Sequence, residues 1–334
     1  MAMVELSDLH VDPAIRRWIA RYGELAQDVP GLGDADPAKH RVAARQVSDL
    51  VAAEFTTPVP AGVSIDDFGL QGPEGPLHLR RYRPDTAPLL SPTQLWLHGG
   101  GFFAGAVDEI LNDRICAALA LASGVQIVSL AYRLAPEHRY PAAVHDAIAA
   151  LSALVSDPEA LGIDPRRIGI GGNSAGAAIA ASTALHIRGS GLVDLVHLDA
   201  EVIPAALPPV GDSAEEFALG FGLDGVSALA GVYFGPDGPA DAYGMVLDAP
   251  SVVGLPATLL MLAELDPLRD AGLRFAERLT DAGVPVVVVV GEGHLHASLG
   301  LTAQFAGARE WNRRHAAELA AAYGTVCTRP EEDR

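Results

Sequence analysis

The stretch Arg167-Ile168-Gly169-Ile170-Gly171-Gly172-Asn173-Ser174-Ala175-Gly176 decides how this chain is read. Its opening residues form a short apolar run bounded by glycine, which predicts a strand over Arg167–Gly171. The alanine-rich segment that follows predicts a helix over Ala175–Ile187. Between the two lies Gly172-x-Ser174-x-Gly176. A serine on a tight strand-to-helix turn needs strained dihedrals, and glycines two residues to either side remove the side chains that would clash there. The helix beyond points its amino end, with unpaired N–H groups, at any negative charge developing near that serine. This context, more than the five letters, marks Ser174 as a candidate nucleophile. The same glycines do not suit a dinucleotide site. Gly169-x-Gly171 begins such a fingerprint, but Ser174 holds its third glycine position, and Arg188-Gly189-Ser190-Gly191 stands where the ribose-binding acid belongs.

Working outward, apolar runs predict further strands at Gln94–Leu97, Val125–Ala131, Glu201–Ile203, Ala257–Leu262 and Pro285–Val290. Several are continuously apolar, the pattern of strands covered on both faces. Helices are predicted at Asn112–Ala122, Pro141–Val155, Asp270–Ala282 and Gln304–Ala322. Pro141 suits the opening turn of the second, and Gly283 suits a C-terminal stop for the third. Alternation of this kind implies an α/β fold with a mostly parallel, doubly wound sheet.

Two stretches break the alternation. Residues 1–55 read as two amphipathic helices around Pro30-Gly31-Leu32-Gly33. Residues 205–250 form a long insert dotted with Phe217, Phe221, Tyr233, Phe234 and Tyr243. Long excursions inside compact α/β domains commonly serve as lids or binding segments. The expectation is therefore a cap, made of both stretches, over the carboxyl edge of the sheet where ligands bind. Residues 56–324 would then form the catalytic domain carrying that insert, and 325–334 a charged tail.

The chain has 334 residues, 49% of them hydrophobic and 19% charged, a composition that excludes wholesale disorder. A formal charge of −19 repels phosphate backbones and anionic lipid, which argues against nucleic acid and membrane surfaces as partners. Val284–Val290 is far shorter than the ~20 residues a spanning helix needs. The segment Met1–Asp12 carries Glu5, Asp8 and Asp12 and lacks a basic start, so no secretory signal is expected and the location predicted is cytoplasmic. Cys116 and Cys327 are too sparse to form a disulfide framework.

A serine is a poor nucleophile at neutral pH and needs a base held by a carboxylate. In the order Ser, Asp/Glu, His, the carboxylate candidate is Asp266, at the carboxyl end of the Ala257 strand; Glu264 is a contender, and Asp270 better suits the first turn of the next helix. Gly293-His294-Leu295-His296 offers two candidate bases that the residues alone leave nearly equal. Their spacing would suit a metal pair, but no Cys or acidic neighbour completes a site, so neither metal nor cofactor is expected. His98-Gly99-Gly100-Gly101-Phe102 follows the strand Gln94–Leu97, and its glycines let backbone N–H groups turn toward a tetrahedral oxyanion together with that of Ala175. Losing one such donor typically costs ~3–4 kcal/mol of transition-state stabilisation. His98 itself is expected to brace this loop.

Taken together, four motifs resemble the hormone-sensitive-lipase-like esterases, a branch of the α/β-hydrolases. They are His98-Gly99-Gly100-Gly101-Phe102, Tyr132-Arg133-Leu134-Ala135-Pro136-Glu137-His138, Gly172-Asn173-Ser174-Ala175-Gly176 and Asp266-Pro267-Leu268-Arg269-Asp270, in the family's order over roughly residues 75–320. The resemblance implies an α/β-hydrolase fold with a helical cap, Ser174 as nucleophile, Asp266 as orienter, and Gly100, Gly101 and Ala175 as oxyanion donors. Aligned on the family's Gly-x-x-His-Gly-Phe run, His296 becomes the base and His294 a passenger. The implied substrates are short- or medium-chain acyl esters, without cofactor, and the implied assembly is a homodimer. Two departures stand out: Ala297-Ser298 replaces the usual Gly-Phe beside the base, and Asn173 stands where the family often has Asp. Amide cleavage, deacetylation or acyl transfer would use the same nucleophile. Receptors built on this fold lose a triad residue, whereas this chain keeps all three.

Overall fold

A computed structural model describes residues 6–220 and 223–327. Among these residues eight strands form one sheet: β1 (Val63–Gly72), β2 (Gly75–Pro84), β3 (Ser91–Leu97), β4 (Gln126–Ala131), β5 (Ile163–Asn173), β6 (His197–Glu201), β7 (Ala257–Leu265) and β8 (Val286–Leu295). Their spatial order is β1-β2-β4-β3-β5-β6-β7-β8. β1 and β2 pair antiparallel, as do β2 and β4, and every other pairing is parallel. All of β3 and β6 is buried, in keeping with central strands covered on both faces.

Among the described residues ten α-helices accompany the sheet: α1 (Pro13–Asp28), α2 (Pro37–Phe55), α3 (Ile110–Ser123), α4 (Ala142–Ser156), α5 (Pro158–Leu161), α6 (Ala175–Ile187), α7 (Asp212–Glu216), α8 (Leu229–Tyr233), α9 (Arg269–Asp281) and α10 (Ala306–Tyr323). α4, α6 and α9 contribute Leu151, Ile179 and Phe275 to the core on one face, while α3 and α10 pack Cys116 and Leu319 against Trp96 on the other. The first two helices start alike. Asp12 and Asp36 each accept the N–H two residues on, at 2.8 and 3.0 Å, and a proline occupies the first helical position. Cys116 is buried, Cys327 is exposed, and both are free thiols.

The structure corrects the sequence reading in two places. First, no strand was expected before Gln94, yet β1 and β2, ten residues each, form a hairpin. Its strands are half exposed and carry charges at facing positions: Asp66 opposes Arg81 and Asp67 opposes Arg80, paired at 2.9 and 2.7 Å. Cross-strand ion pairs of this kind stabilise a hairpin without leaving an apolar run to read. Second, the strand expected at Glu201–Ile203 lies at His197–Glu201, and the chain leaves it at Val202, where φ is 45°. The polar residues His197, Asp199 and Glu201 broke the hydrophobic signal, although all three are buried.

The two stretches outside the alternation pack differently from one another. α1 and α2 bury Ile15, Val47 and Phe55 in a cluster shared with Leu265 and Leu295, at the carboxyl ends of β7 and β8, and with Phe217 of the insert. Farther along the insert, Tyr233, Met245, Val246 and Ala249 join the main core beside α4 and α6. Phe221 lies outside the described residues, as do Met1–Glu5 and the last seven residues of the expected tail. The start of that tail is tied down, for the Thr325 hydroxyl donates to the Ser123 carbonyl at 2.6 Å. Among the described residues no helix is long and apolar enough to cross a membrane.

Candidate active site

β5 ends at Asn173, and Ser174 makes the turn into α6 with φ 51° and ψ −121°. A non-glycine residue in this region is uncommon and strained. The flanking glycines explain how it is tolerated: a Cβ at either Gly172 or Gly176 would overlap the Leu97 carbonyl on β3. The Ser174 N–H is taken by the Glu201 carbonyl on β6, at 2.8 Å.

Asp266 follows β7, and His296 follows β8, the parallel neighbour of β7. His296 Nδ1 lies 2.8 Å from Asp266 Oδ2, and its Nε2 lies 2.8 Å from Ser174 Oγ. With Asp266 as acceptor, Nδ1 carries the proton, which leaves Nε2 to accept from the serine hydroxyl. The other Asp266 oxygen accepts the Leu268 N–H at 2.9 Å, so the carboxylate is held from both sides. Asp266 is 1% exposed and His296 6%, which keeps water from competing for these bonds.

The other candidates are placed elsewhere. His294 Nδ1 faces the Ser298 hydroxyl at 2.9 Å, and its ring packs between Phe305 and Trp311 with centroids 4.8 and 5.0 Å away. Burial pushes its pKa down to about 4. Ser298, one of the two family departures, thus serves as a local clamp, since its hydroxyl also accepts the Leu295 N–H at 3.0 Å. Glu264 accepts the Gly293 N–H at 2.6 Å and so ties the end of β7 to the loop that leads to His296. Asp270 lies in the first turn of α9 but looks toward the insert, where it accepts the Ser213 N–H at 2.9 Å, and it pairs with Arg269 at 2.9 Å. Arg269 in turn stacks over Phe217, 5.3 Å from the ring centroid.

The glycine loop after β3 is held from several directions. Gly100 and Gly101 have φ 124° and 61°, and a Cβ at Gly100 would overlap the Ala104 carbonyl. Among the described residues, no acceptor takes the N–H groups of Gly100, Gly101 or Ala175. The His98 ring stacks on Tyr132 at 4.4 Å, its Nδ1 contacts the Gly99 carbonyl at 2.8 Å, and burial pushes its pKa down to about 4. It is a neutral strut at physiological pH. The Tyr132 hydroxyl donates to the His98 carbonyl at 2.8 Å. Asn173 lies beside the same loop, its side-chain oxygen 3.2 Å from where a Gly99 Cβ would sit. Arg41 of α2, which the sequence did not single out, donates to the carbonyls of Phe103 and Ala135, both at 2.6 Å, and pairs with Glu137. A lone arginine in a mixed helix gives no motif from which such a bridge could be read. Among the described residues no cluster of three His, Cys, Asp or Glu side chains is placed to hold a metal ion.

A serine on a strained turn between a central parallel strand and a helix, with a buried carboxylate after β7 and an imidazole after β8, defines an α/β-hydrolase. A sequence profile described as the alpha/beta hydrolase fold matches residues 94–300. The chain is 34% identical to an esterase, LipI, of Mycobacterium tuberculosis over 77% of its own length and 82% of that protein. It is 32% identical to an ethyl acetate hydrolase of Pseudomonas putida over 79% of its length and 82% of that protein. Among solved structures, an ester hydrolase from the metagenome of Lake Arreo, bound to a derivative of bipyridine phosphonate, superposes with a TM-score of 0.84 at 30% identity, covering 95% of this chain and all of that one. The chain belongs to the hormone-sensitive-lipase-like esterases of the α/β-hydrolase superfamily and is a carboxylesterase-type hydrolase.

Proposed function

We propose that this esterase cleaves short- to medium-chain acyl esters through an acyl-enzyme on Ser174, with His296 as general base and Asp266 as its orienter. The hydrogen-bond chain from Ser174 Oγ through His296 to Asp266, with both links at 2.8 Å, carries this reading. Ser174 Oγ attacks the ester carbonyl as its proton passes to His296 Nε2, and Asp266 stabilises the imidazolium that results. The oxyanion is received by the N–H groups of Gly100, Gly101 and Ala175, aided by the amino end of α6. His296 then returns the proton to the leaving alcohol, and water activated by the same imidazole releases the acid.

The ethyl acetate hydrolase among the relatives supports a short acyl group. The packing of α1 and α2 with Phe217 at the sheet's carboxyl edge supports the N-terminal helices and the first part of the insert as the cap that bounds the acyl pocket. A homodimer fits the exposed outer edge of β8, where Val287, Val288 and Val290 face solvent. A monomer by light scattering at micromolar concentration would count against it.

The deciding experiment compares kcat/KM on p-nitrophenyl esters from acetate to decanoate with matched anilides. The expected profile peaks at butyrate or hexanoate, and the anilides turn over far more slowly. No ester turnover would end the proposal, and anilides cleaved as fast as esters would move it to an amidase.

A further inference from the structure

The side of β6 that faces α10 is polar. Asp199 and Glu201, two residues apart, project from the same face of the strand. α10 meets them with Trp311 and His315, one turn apart. His315 Nε2 lies 2.7 Å from Asp199 Oδ2, its Nδ1 lies 3.4 Å from Glu201 Oε1, and Trp311 Nε1 donates to that same glutamate oxygen at 2.6 Å. All four side chains are at most 3% exposed. Burial alone would lower the pKa of His315, but the charge of Asp199 and the bonds to both carboxylates outweigh it, so the imidazole is held as a cation. Apolar residues of similar volume often serve stability as well as a buried ion cluster does. Packing is therefore a weak reason for this one.

A better reason lies on the backbone of the same residue. The Glu201 carbonyl accepts the Ser174 N–H at 2.8 Å, and the next residue, Val202, has φ 45°. A β-branched residue in that region is a genuine outlier. Two strained residues, Ser174 and Val202, thus meet at one peptide carbonyl, and strain of this sort persists only where the surroundings over-determine it. The Val202 N–H is fixed by the Met261 carbonyl at 2.7 Å. The ladder holds the Glu201 backbone between Asn173 of β5 and Met261 of β7, and a further anchor is its side chain, gripped by Trp311 and His315.

We infer that Glu201, locked by Trp311 and His315, is a positioning residue for the reaction at Ser174: it fixes the carbonyl that holds the serine's N–H, and with it the aim of the hydroxyl at His296. The inference rests on the reading of Ser174 as nucleophile. It assigns Glu201 no contact with substrate. Misplacing a reacting group by about 1 Å can cost on the order of a hundredfold, so loosening this anchor is expected to act on kcat and to leave KM alone.

The test measures p-nitrophenyl butyrate hydrolysis, the rate of phosphonylation by a p-nitrophenyl alkylphosphonate, and the mass label on Ser174, with activity normalised to titrated sites. Glu201→Leu should lower kcat and the phosphonylation rate about thirtyfold with KM within about twofold. Glu201→Gln, whose amide oxygen can still accept from Trp311, should recover most of that loss. A purely structural role would reduce the number of titratable sites but not the rate at each one. If Glu201→Leu does not fold, Trp311→Phe removes one donor while keeping an aromatic ring, and a fall of about threefold to tenfold in kcat at constant KM is expected. Wild-type rates per titrated site in Glu201→Leu, or in Trp311→Phe where the former does not fold, overturn the inference alone. A wild-type enzyme that neither turns over ester nor takes the label overturns the nucleophile, and the inference with it.

Discussion

Among the described residues two buried histidine–aspartate pairs share nearly the same distance, His296 Nδ1–Asp266 at 2.8 Å and His315 Nε2–Asp199 at 2.7 Å. Their third partners set them apart. His296 faces the hydroxyl of Ser174, a group that can give up a proton and take it back. His315 faces a second carboxylate, Glu201, which can only hold the imidazole in its charged form. His98 and His294 extend the series: neither hydrogen-bonds a carboxylate among the described residues, and burial drives both down to about 4. The lesson is that a close His–Asp contact does not mark a base. The group on the far side of the ring decides whether the proton can move.

The strongest way to break this comparison is to exchange the consequences of losing each ring. On the mechanism proposed above, His296→Ala should lower kcat about 10⁴-fold or more, because nucleophile and base act as a unit. His294→Ala, which removes a side chain wedged between Phe305 and Trp311, should cost less than about tenfold in kcat. The opposite ranking, read from steady-state kinetics on one ester, would mean that the family alignment of the two histidines had slipped.

His315→Ala should invert the pattern, with its main effect on stability. It leaves Asp199 and Glu201 buried without a counter-charge, and breaking a buried pair from one side costs about 3–5 kcal/mol. Urea unfolding would read this as a lower midpoint at unchanged slope. A variant as stable as the wild type would mean that the carboxylates had been neutral all along.

The pH dependence of stability sharpens the same contrast. His315 is raised in the folded state to about 10 from an ordinary value near 6.5. The stability it contributes is therefore complete below pH ~6.5 and lost as pH rises through about 10. His98 and His294 have the opposite sign. Their folded values lie near 4, so stability is lost as pH falls below ~6.5 toward that value, where the unfolded chain takes up protons that the folded one refuses. The melting temperature should fall on both sides of neutrality, and in His315→Gln the alkaline decline should flatten. An alkaline slope identical in wild type and variant would place the linkage elsewhere.

These differences between histidines were only partly written in the sequence. The second half of β5, the Ser174 turn and α6 were legible because Ile168–Gly172 form a buried apolar run and because a strained elbow requires Gly172 and Gly176, a local demand that leaves a local mark. Asp266 was legible for a related reason, since it sits directly where an apolar strand ends. The choice between His294 and His296 was not. It depends on which ring reaches Ser174, more than a hundred positions away, and only the family alignment favoured the one the structure brings to 2.8 Å. β6 was misplaced because His197, Asp199 and Glu201 are polar residues buried by long-range partners, and a hydrophobic pattern cannot register partners that sit on α10. The β1–β2 hairpin was missed for the converse reason, its strands being stabilised by charges paired across the ladder. Arg41, which clamps the glycine loop, left no motif at all, and Glu264 was legible only as a rival to Asp266, not as the acceptor of the Gly293 N–H.

The smallest effect concerns His98, whose environment resembles that of His294 but which belongs to the loop proposed to receive the oxyanion. Its ring is stacked on Tyr132, and its Nδ1 contacts the Gly99 carbonyl at 2.8 Å. With a pKa near 4 it stays neutral throughout the range in which a serine esterase is assayed. The acidic limb of the kcat/KM profile, which reports the ionisation of an essential base in the free enzyme, should therefore owe nothing to it. His98→Asn, whose amide can still donate to a nearby carbonyl, should lower kcat by about threefold to tenfold through a looser loop and leave the midpoint of that limb where it is in the wild type. A displaced midpoint would show that His98 exchanges protons during turnover. It would then be a second titrating imidazole without a carboxylate, and the series from neutral strut to relay to fixed cation would lose its first member.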